Sequence, residues 1–124
     1  MNDQASIGSY ASFATATPLD GGNGIVLRPL AGERIMLSEV TVPANVTAAI
    51  HTHGEEKIGV VLSGSCEFTL GGVSRRLERG DVYHVPPAVP HGLRALDEEC
   101  VLLDVFSPVR LDLLKRMAEQ RSPR

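Results

Sequence analysis

After about residue 16 the chain is built from short apolar runs cut by turn residues. The runs Gly24–Leu30, Arg34–Val42, Thr47–His53, Lys57–Leu62, Cys66–Leu70, Val73–Leu77, Val82–Pro86 and Val101–Phe106 are rich in Val, Ile, Leu and Thr. Between them lie Ala31-Gly32, Pro43-Ala44-Asn45, Gly54-Glu55, Ser63-Gly64, Gly71-Gly72, Arg79-Gly80-Asp81 and the proline-rich turn that ends at Pro90. Short runs of this kind, roughly eight to twelve residues apart, predict the strands of an antiparallel sandwich or barrel. Gly71-Gly72 predicts a tight hairpin, because both of its residues can adopt the positive φ that a two-residue turn requires. Only one segment has helical spacing. Ser107 is suited to cap it, Pro108 to begin it, and Leu111, Leu114 and Met117/Ala118 recur along one face through Gln120.

These elements predict one all-β domain with a single short C-terminal helix. Residues 1–16, rich in Ser, Ala and Thr, read as an arm, residues 17–107 as the barrel, and residues 108–124 as helix and tail. The run Lys57–Leu62 is apolar on both parities, with Ile58 and Leu62 on one and Val61 on the other. Both faces therefore call for cover, which predicts a homodimer pairing sheet against sheet.

Length and composition narrow the class. A chain of 124 residues leaves no room for a second folded domain, and 43% hydrophobic with 22% charged content is that of an ordinary globular protein. The net charge of −3, scattered arginines and absence of Trp argue against a nucleic-acid groove, which needs a concentrated basic face. The adjacent pair Arg75-Arg76 reads as a solvated hairpin edge. The first nineteen residues contain no Lys or Arg and no long apolar run, so a secretory leader is not expected, nor is a membrane span. Cys66 and Cys100 form no C-x-x-C pair and read as small buried hydrophobes in a reducing cytoplasm.

Candidate chemistry centres on histidine. On a strand, His51 and His53 point the same way, and two imidazoles so spaced can bind one divalent metal, although surface histidines show the same spacing. His91 follows the proline-rich turn, where the fold can bring it opposite that pair.

At these residues the chain resembles the cupin superfamily. The family's first motif, a Gly, a His-x-His pair, a Glu and a closing Gly, is matched by Asn45, His51-Thr52-His53, Lys57 and Gly64. Its second, a Gly, a Pro-x-Gly, a His and an Asn, is matched by Gly80, Pro86, Ala88, His91 and Ala95. With flanking strands the resemblance spans about residues 25–107. The stretch Val101–Arg110 is similar to the same part of small cupins that act on sugar acids and of polyketide cyclases. The resemblance implies a conical β-barrel of jelly-roll type with one metal ion inside, held by His51, His53 and His91. Three neutral nitrogens suit Fe, Zn, Ni, Mn or Cu, and the sequence does not choose among them.

The departures matter as much. Lys57 stands where the family places a ligating Glu or Gln. It either points inward as a base or imine-forming nucleophile, or swings to the mouth with its charge in water. Glu55 or Glu56 offers a replacement carboxylate if the strand begins with a bulge. His84 reads as a fourth ligand or acid/base near the mouth, or as a strand residue bonded to backbone. Asp104 is expected to pair with Arg110 or a turn backbone. The resemblance implies a small metal-dependent enzyme acting on an oxygen-rich small molecule, of isomerase or lyase type, with Lys57 or His84 moving the proton. Two other readings stay open: a three-histidine iron dioxygenase, and a non-catalytic barrel that binds a sugar or carboxylate.

Overall fold

The computed structural model describes residues 8–121. Ten strands and one helix follow in order: β1 (Leu19–Gly22), β2 (Ile25–Ala31), β3 (Met36–Val42), β4 (Thr47–His51), β5 (Glu56–Ser63), β6 (Ser65–Leu70), β7 (Val73–Glu78), β8 (Val82–Val85), β9 (His91–Ala95), β10 (Cys100–Ser107) and α1 (Leu111–Arg121). All pairings are antiparallel. They build a six-stranded sheet in the order β1-β2-β3-β10-β5-β8 and a four-stranded sheet in the order β4-β9-β6-β7. The two sheets face one another across the core in the predicted jelly-roll arrangement.

Each of the eight predicted runs contributes a strand, and the pleat explains which side chains go inside. Along β10, Cys100, Leu102, Asp104 and Phe106 are buried while Val101, Leu103 and Val105 are only half-covered. Leu102 and Val61 meet Val42, Phe68, Tyr83, Val85 and both cysteines in the main core. The thiols of Cys66 and Cys100 are free and buried. Gly71 and Gly72 join β6 to β7 with φ of 56° and 83°, as the hairpin demands. Arg75 and Arg76 are exposed on β7.

Two strands were not legible in the hydrophobic pattern. β1 has a single buried apolar residue, Leu19, and exists because it pairs with β2. β9, His-Gly-Leu-Arg-Ala, has little strand propensity and is held by β4 on one side and β6 on the other. The helix also starts later than Ser107. That residue still pairs with Glu56 as the end of β10, and the first helical turn is closed by the Leu114 N–H donating to the Arg110 carbonyl. Leu113 and Met117 turn inward and pack with Leu19, Met36, Phe106 and Val109 in a second cluster that closes one end of the structure. Among the described residues no helix is long and apolar enough to cross a membrane. The predicted arm and tail lie partly outside the described residues, at 1–7 and 122–124.

Candidate metal centre

Backbone pairing places the histidines. His51, the last residue of β4, is the ladder partner of His91, the first of β9, just past an irregularity that begins at Ala48. His53 follows two residues later, and its carbonyl accepts from the Ala88 N–H at 2.8 Å, tying the two motif segments together. Ala88 and Asn45, which stand where the family motifs have glycine, both take positive φ, 66° and 63°. Asn tolerates that conformation, whereas Ala adopts it at a cost of about 1 kcal/mol, a local strain beside the site.

Three imidazoles thus converge, with ring centroids 4.4 to 5.7 Å apart. Each Nδ1 faces a backbone carbonyl: His51 that of Ala49 at 2.9 Å, His53 that of Glu55 at 3.0 Å, and His91 that of Val89 at 2.9 Å. A carbonyl only accepts, so each Nδ1 carries the hydrogen and each Nε2 of a neutral ring presents a lone pair. The Nε2 atoms of His53 and His91 are buried and have no protein partner. Burial lowers the pKa of both, with the charge of Arg110 adding to the effect at His53 and that of Lys57 at His91, which is pushed down to about 4. The three donors lie within 4.8 Å of one another. Neutral, oriented, otherwise unsatisfied nitrogens are what a divalent transition metal requires, so this donor set fits one.

The other candidates separate cleanly. Glu55 lies 3.7 Å from the Nδ1 side of His53, and Glu56 points outward, so neither carboxylate replaces the missing ligand. His84 is on the outer face of β8, half-exposed, with Nε2 2.6 Å from the Glu56 carboxylate. It is therefore removed from the interior, because the adjacent Tyr83 takes the inward parity. Lys57 points inward and is 6% exposed. Its Nζ lies 3.5 Å from Asp104 Oδ2, and the Tyr83 hydroxyl donates to Oδ1 of the same carboxylate at 2.6 Å. Asp104 thus pairs with Lys57 and Tyr83, not with Arg110, whose guanidinium instead bonds Asp112 at 2.6 Å and covers the Phe106 ring at 5.2 Å. Burial lowers the Lys57 pKa, against the opposing pull of Asp104, and raises that of Tyr83, which stays a donor.

Gly59 makes the Tyr83–Asp104 contact possible. It stands between them in one row of the sheet, paired to Asp104 on β10 and to Tyr83 on β8. A Cβ on Gly59 would overlap both the tyrosine ring and the carboxylate. Beside this row a cavity of about 390 Å³ is lined by His51, Ser38, Lys57, Asp104, Arg110 and Arg116, among others. Sequence reasoning missed Tyr83, Gly59 and Arg110 as part of this region. The alternation of Leu102, Asp104 and Phe106 along β10 was the available signal.

The model of the cupin domain matches residues 38–106, which include every histidine of the cluster, Lys57 and Asp104. The chain belongs to the cupin family. The pectin degradation protein KdgF of Dickeya dadantii is 40% identical over 65 residues, covering 52% of this chain and 59% of that protein. The H2HPP isomerase of Bacillus subtilis is 38% identical over 66 residues, 52% of this chain and 28% of the other. This cupin therefore matches less than two thirds of the length of either. The solved structure of KdgF from Halomonas sp. superposes with a TM-score of 0.79 at 30% identity, covering 86% of this chain and 98% of that one.

Proposed function

We propose that this cupin is a small metal-dependent enzyme of isomerase or lyase type that acts on the carbonyl or hydroxyl groups of an oxygen-rich small molecule, and that it works in the cytoplasm as a homodimer. The observation that carries the reading is the convergence of three imidazoles, each with its Nδ1 facing a backbone carbonyl and with their ligand nitrogens within 4.8 Å of one another. His51, His53 and His91 would hold one divalent ion, of Fe, Zn, Ni, Mn or Cu, which when bound supplies Lewis-acid polarisation of a carbonyl or hydroxyl oxygen.

The chain's own residues supply the rest. Lys57 Nζ lies 3.5 Å from Asp104 Oδ2 at the wall of the cavity, a donor and acceptor between which a proton can move, and Tyr83 holds the carboxylate by donating to its other oxygen. Arg110 and Arg116 line the same cavity and suit a substrate that carries a carboxylate. The likeness to a pectin degradation protein and to an isomerase supports a sugar-derived substrate and a rearrangement of it. Exposed Ile58, Leu62 and Val82 on β5 and β8 support a second copy covering the six-stranded sheet, a point for light scattering.

Elemental analysis of untagged protein purified without added metal is the first test, followed by a screen of oxo sugar acids with and without chelator. A retained ion, and turnover lost on chelation and in His51→Ala, are expected. A set of three nitrogens without a carboxylate also favours an iron dioxygenase, which bound iron and oxygen uptake would select. Metal-free protein that retains an acidic ligand would overturn both readings in favour of a binding barrel.

A further inference from the structure

We infer that Lys57 is a carbonyl-capturing amine, whose Nζ condenses with an aldehyde or 2-oxo acid held in the cavity to form an imine that water later releases. The inference rests on the proposed reading in one respect, that a carbonyl compound enters the cavity.

The chain contains two lysines, Lys57 and Lys115. Lys115 is exposed on α1, where lysines ordinarily sit. Lys57 is in the interior of β5, and its Nζ lies 5.8 Å from the centroids of both the Tyr83 and Phe106 rings. Asp104 is its one hydrogen-bond acceptor among the described residues, and at 3.5 Å that contact is long for a charge-assisted bond. The side chain also lines the 390 Å³ cavity, ample for a small oxo acid. Desolvation by aromatic walls and a loosely held proton are what make a lysine amine nucleophilic. The lowered pKa of Lys57 agrees with this placement.

Asp104 balances the step. The ammonium passes a proton to Oδ2, and the freed nitrogen pair forms a C–N bond to the carbonyl carbon while the C=O π pair moves to oxygen. Asp104 returns its proton to that oxygen, giving a carbinolamine, and then removes one proton from nitrogen. Delivery of that proton to the hydroxyl expels water as the nitrogen pair closes the C=N bond. The net change is ammonium plus carbonyl to iminium plus water, with no oxidation or reduction. Asp104 faces one positive charge before and after, so the cavity holds the product as well as it held the ammonium.

The test is reductive trapping of the full chain with glyoxylate or pyruvate and cyanoborohydride near neutral pH, read by intact mass and peptide mapping. Labelling of Lys57 should exceed that of Lys115 by about tenfold or more, because a desolvated amine whose proton can pass to Asp104 is the better nucleophile. Lys57→Arg, which keeps a cation beside Asp104 but forms no imine, should lose the adduct. Lys115→Arg, in which Lys57 is the only lysine, should retain it and decides the matter alone if Lys57→Arg does not fold. Adduct confined to Lys115 or the amino terminus of folded protein would overturn the inference. Metal content of the same preparation reports on the metal reading separately, so trapping at Lys57 in protein that holds no ion would support this inference and sink the other.

Discussion

Acidifying the metal-stripped protein isolates the cost of holding His91 neutral inside the fold. His91 is 1% exposed, and burial followed by the charge of Lys57 pushes its pKa down to about 4, against 6.5 for an unfolded histidine. Between those values the unfolded chain binds a proton that the folded one refuses, so stability is complete above about pH 6.5 and falls as pH drops toward 4. At 1.36 kcal/mol per unit the whole interval is worth about 3 kcal/mol, of which about 2 kcal/mol is gone by pH 5. His53 is shifted the same way and adds to the slope. Urea unfolding of chelator-treated protein at steps between about pH 7 and pH 5 measures it. His91→Gln, which has no proton to gain, should start less stable and show a shallower slope. A flat profile for the parent, or an unchanged slope in the variant, would refute the account of a desolvated neutral imidazole. Adding a divalent ion should raise stability at neutral pH and steepen its loss in acid, since metal and protons compete for the same nitrogens.

Alanine in place of His51, His53 or His91 should weaken divalent-metal affinity by about a hundredfold or more, while His84→Ala leaves it unchanged; calorimetric titration distinguishes the two. Lys57→Gln removes an ammonium near the histidines and should tighten metal binding in the same assay, with equal affinity showing that its charge is not felt there. Gly59→Ala drives a methyl into Tyr83 and Asp104 and should cost about 1–3 kcal/mol in urea unfolding. Leu102→Ala, a fully buried truncation at the centre of the core, should cost about 2–5 kcal/mol in that measurement.

The strands with clear alternation were legible because burial on one face writes period two into the sequence, and β6 shows it, with Cys66 and Phe68 buried on either side of exposed Glu67. β9 was not, because its stability comes from neighbours on both sides that local composition does not encode. The histidine cluster could be read from a two-residue spacing plus a turn, since backbone pairing of His51 with His91 converts sequence distance into contact. Parity puts His84 and Tyr83 on opposite faces of β8 but does not say which of them faces inward. That depended on whether β8 presented its odd or even residues to the core, and Val85, fully buried, fixes the answer in favour of Tyr83. The partner of Asp104 was misjudged for a related reason. Arg110 is near in sequence, whereas Lys57 and Tyr83 are near only across the β10–β5–β8 ladder.

The charges around the cavity explain why the substitution of Lys57 for a ligating carboxylate is compatible with this fold. An isolated ammonium at that depth would be expelled or neutralised, but Asp104 on the neighbouring strand offsets it, and Tyr83 reaches the carboxylate only because Gly59 leaves the row between them empty. Lys57, Asp104 and Gly59 therefore form one unit, and changing any of them alone leaves a buried charge unpaired or a contact blocked. The consequence for ligands follows from the same arithmetic. The three imidazoles contribute no negative charge, Lys57 and Asp104 offset each other, Arg110 is matched by Asp112, and Arg116 donates to the Asp20 carbonyl and adds a further positive charge. The donor set thus offers a divalent cation no anionic partner of its own, so the negative charge that would balance it would come from the ligand or from hydroxide. An oxo acid of the proposed kind would carry that charge in its carboxylate and would bring a carbonyl carbon into the cavity that Lys57 lines.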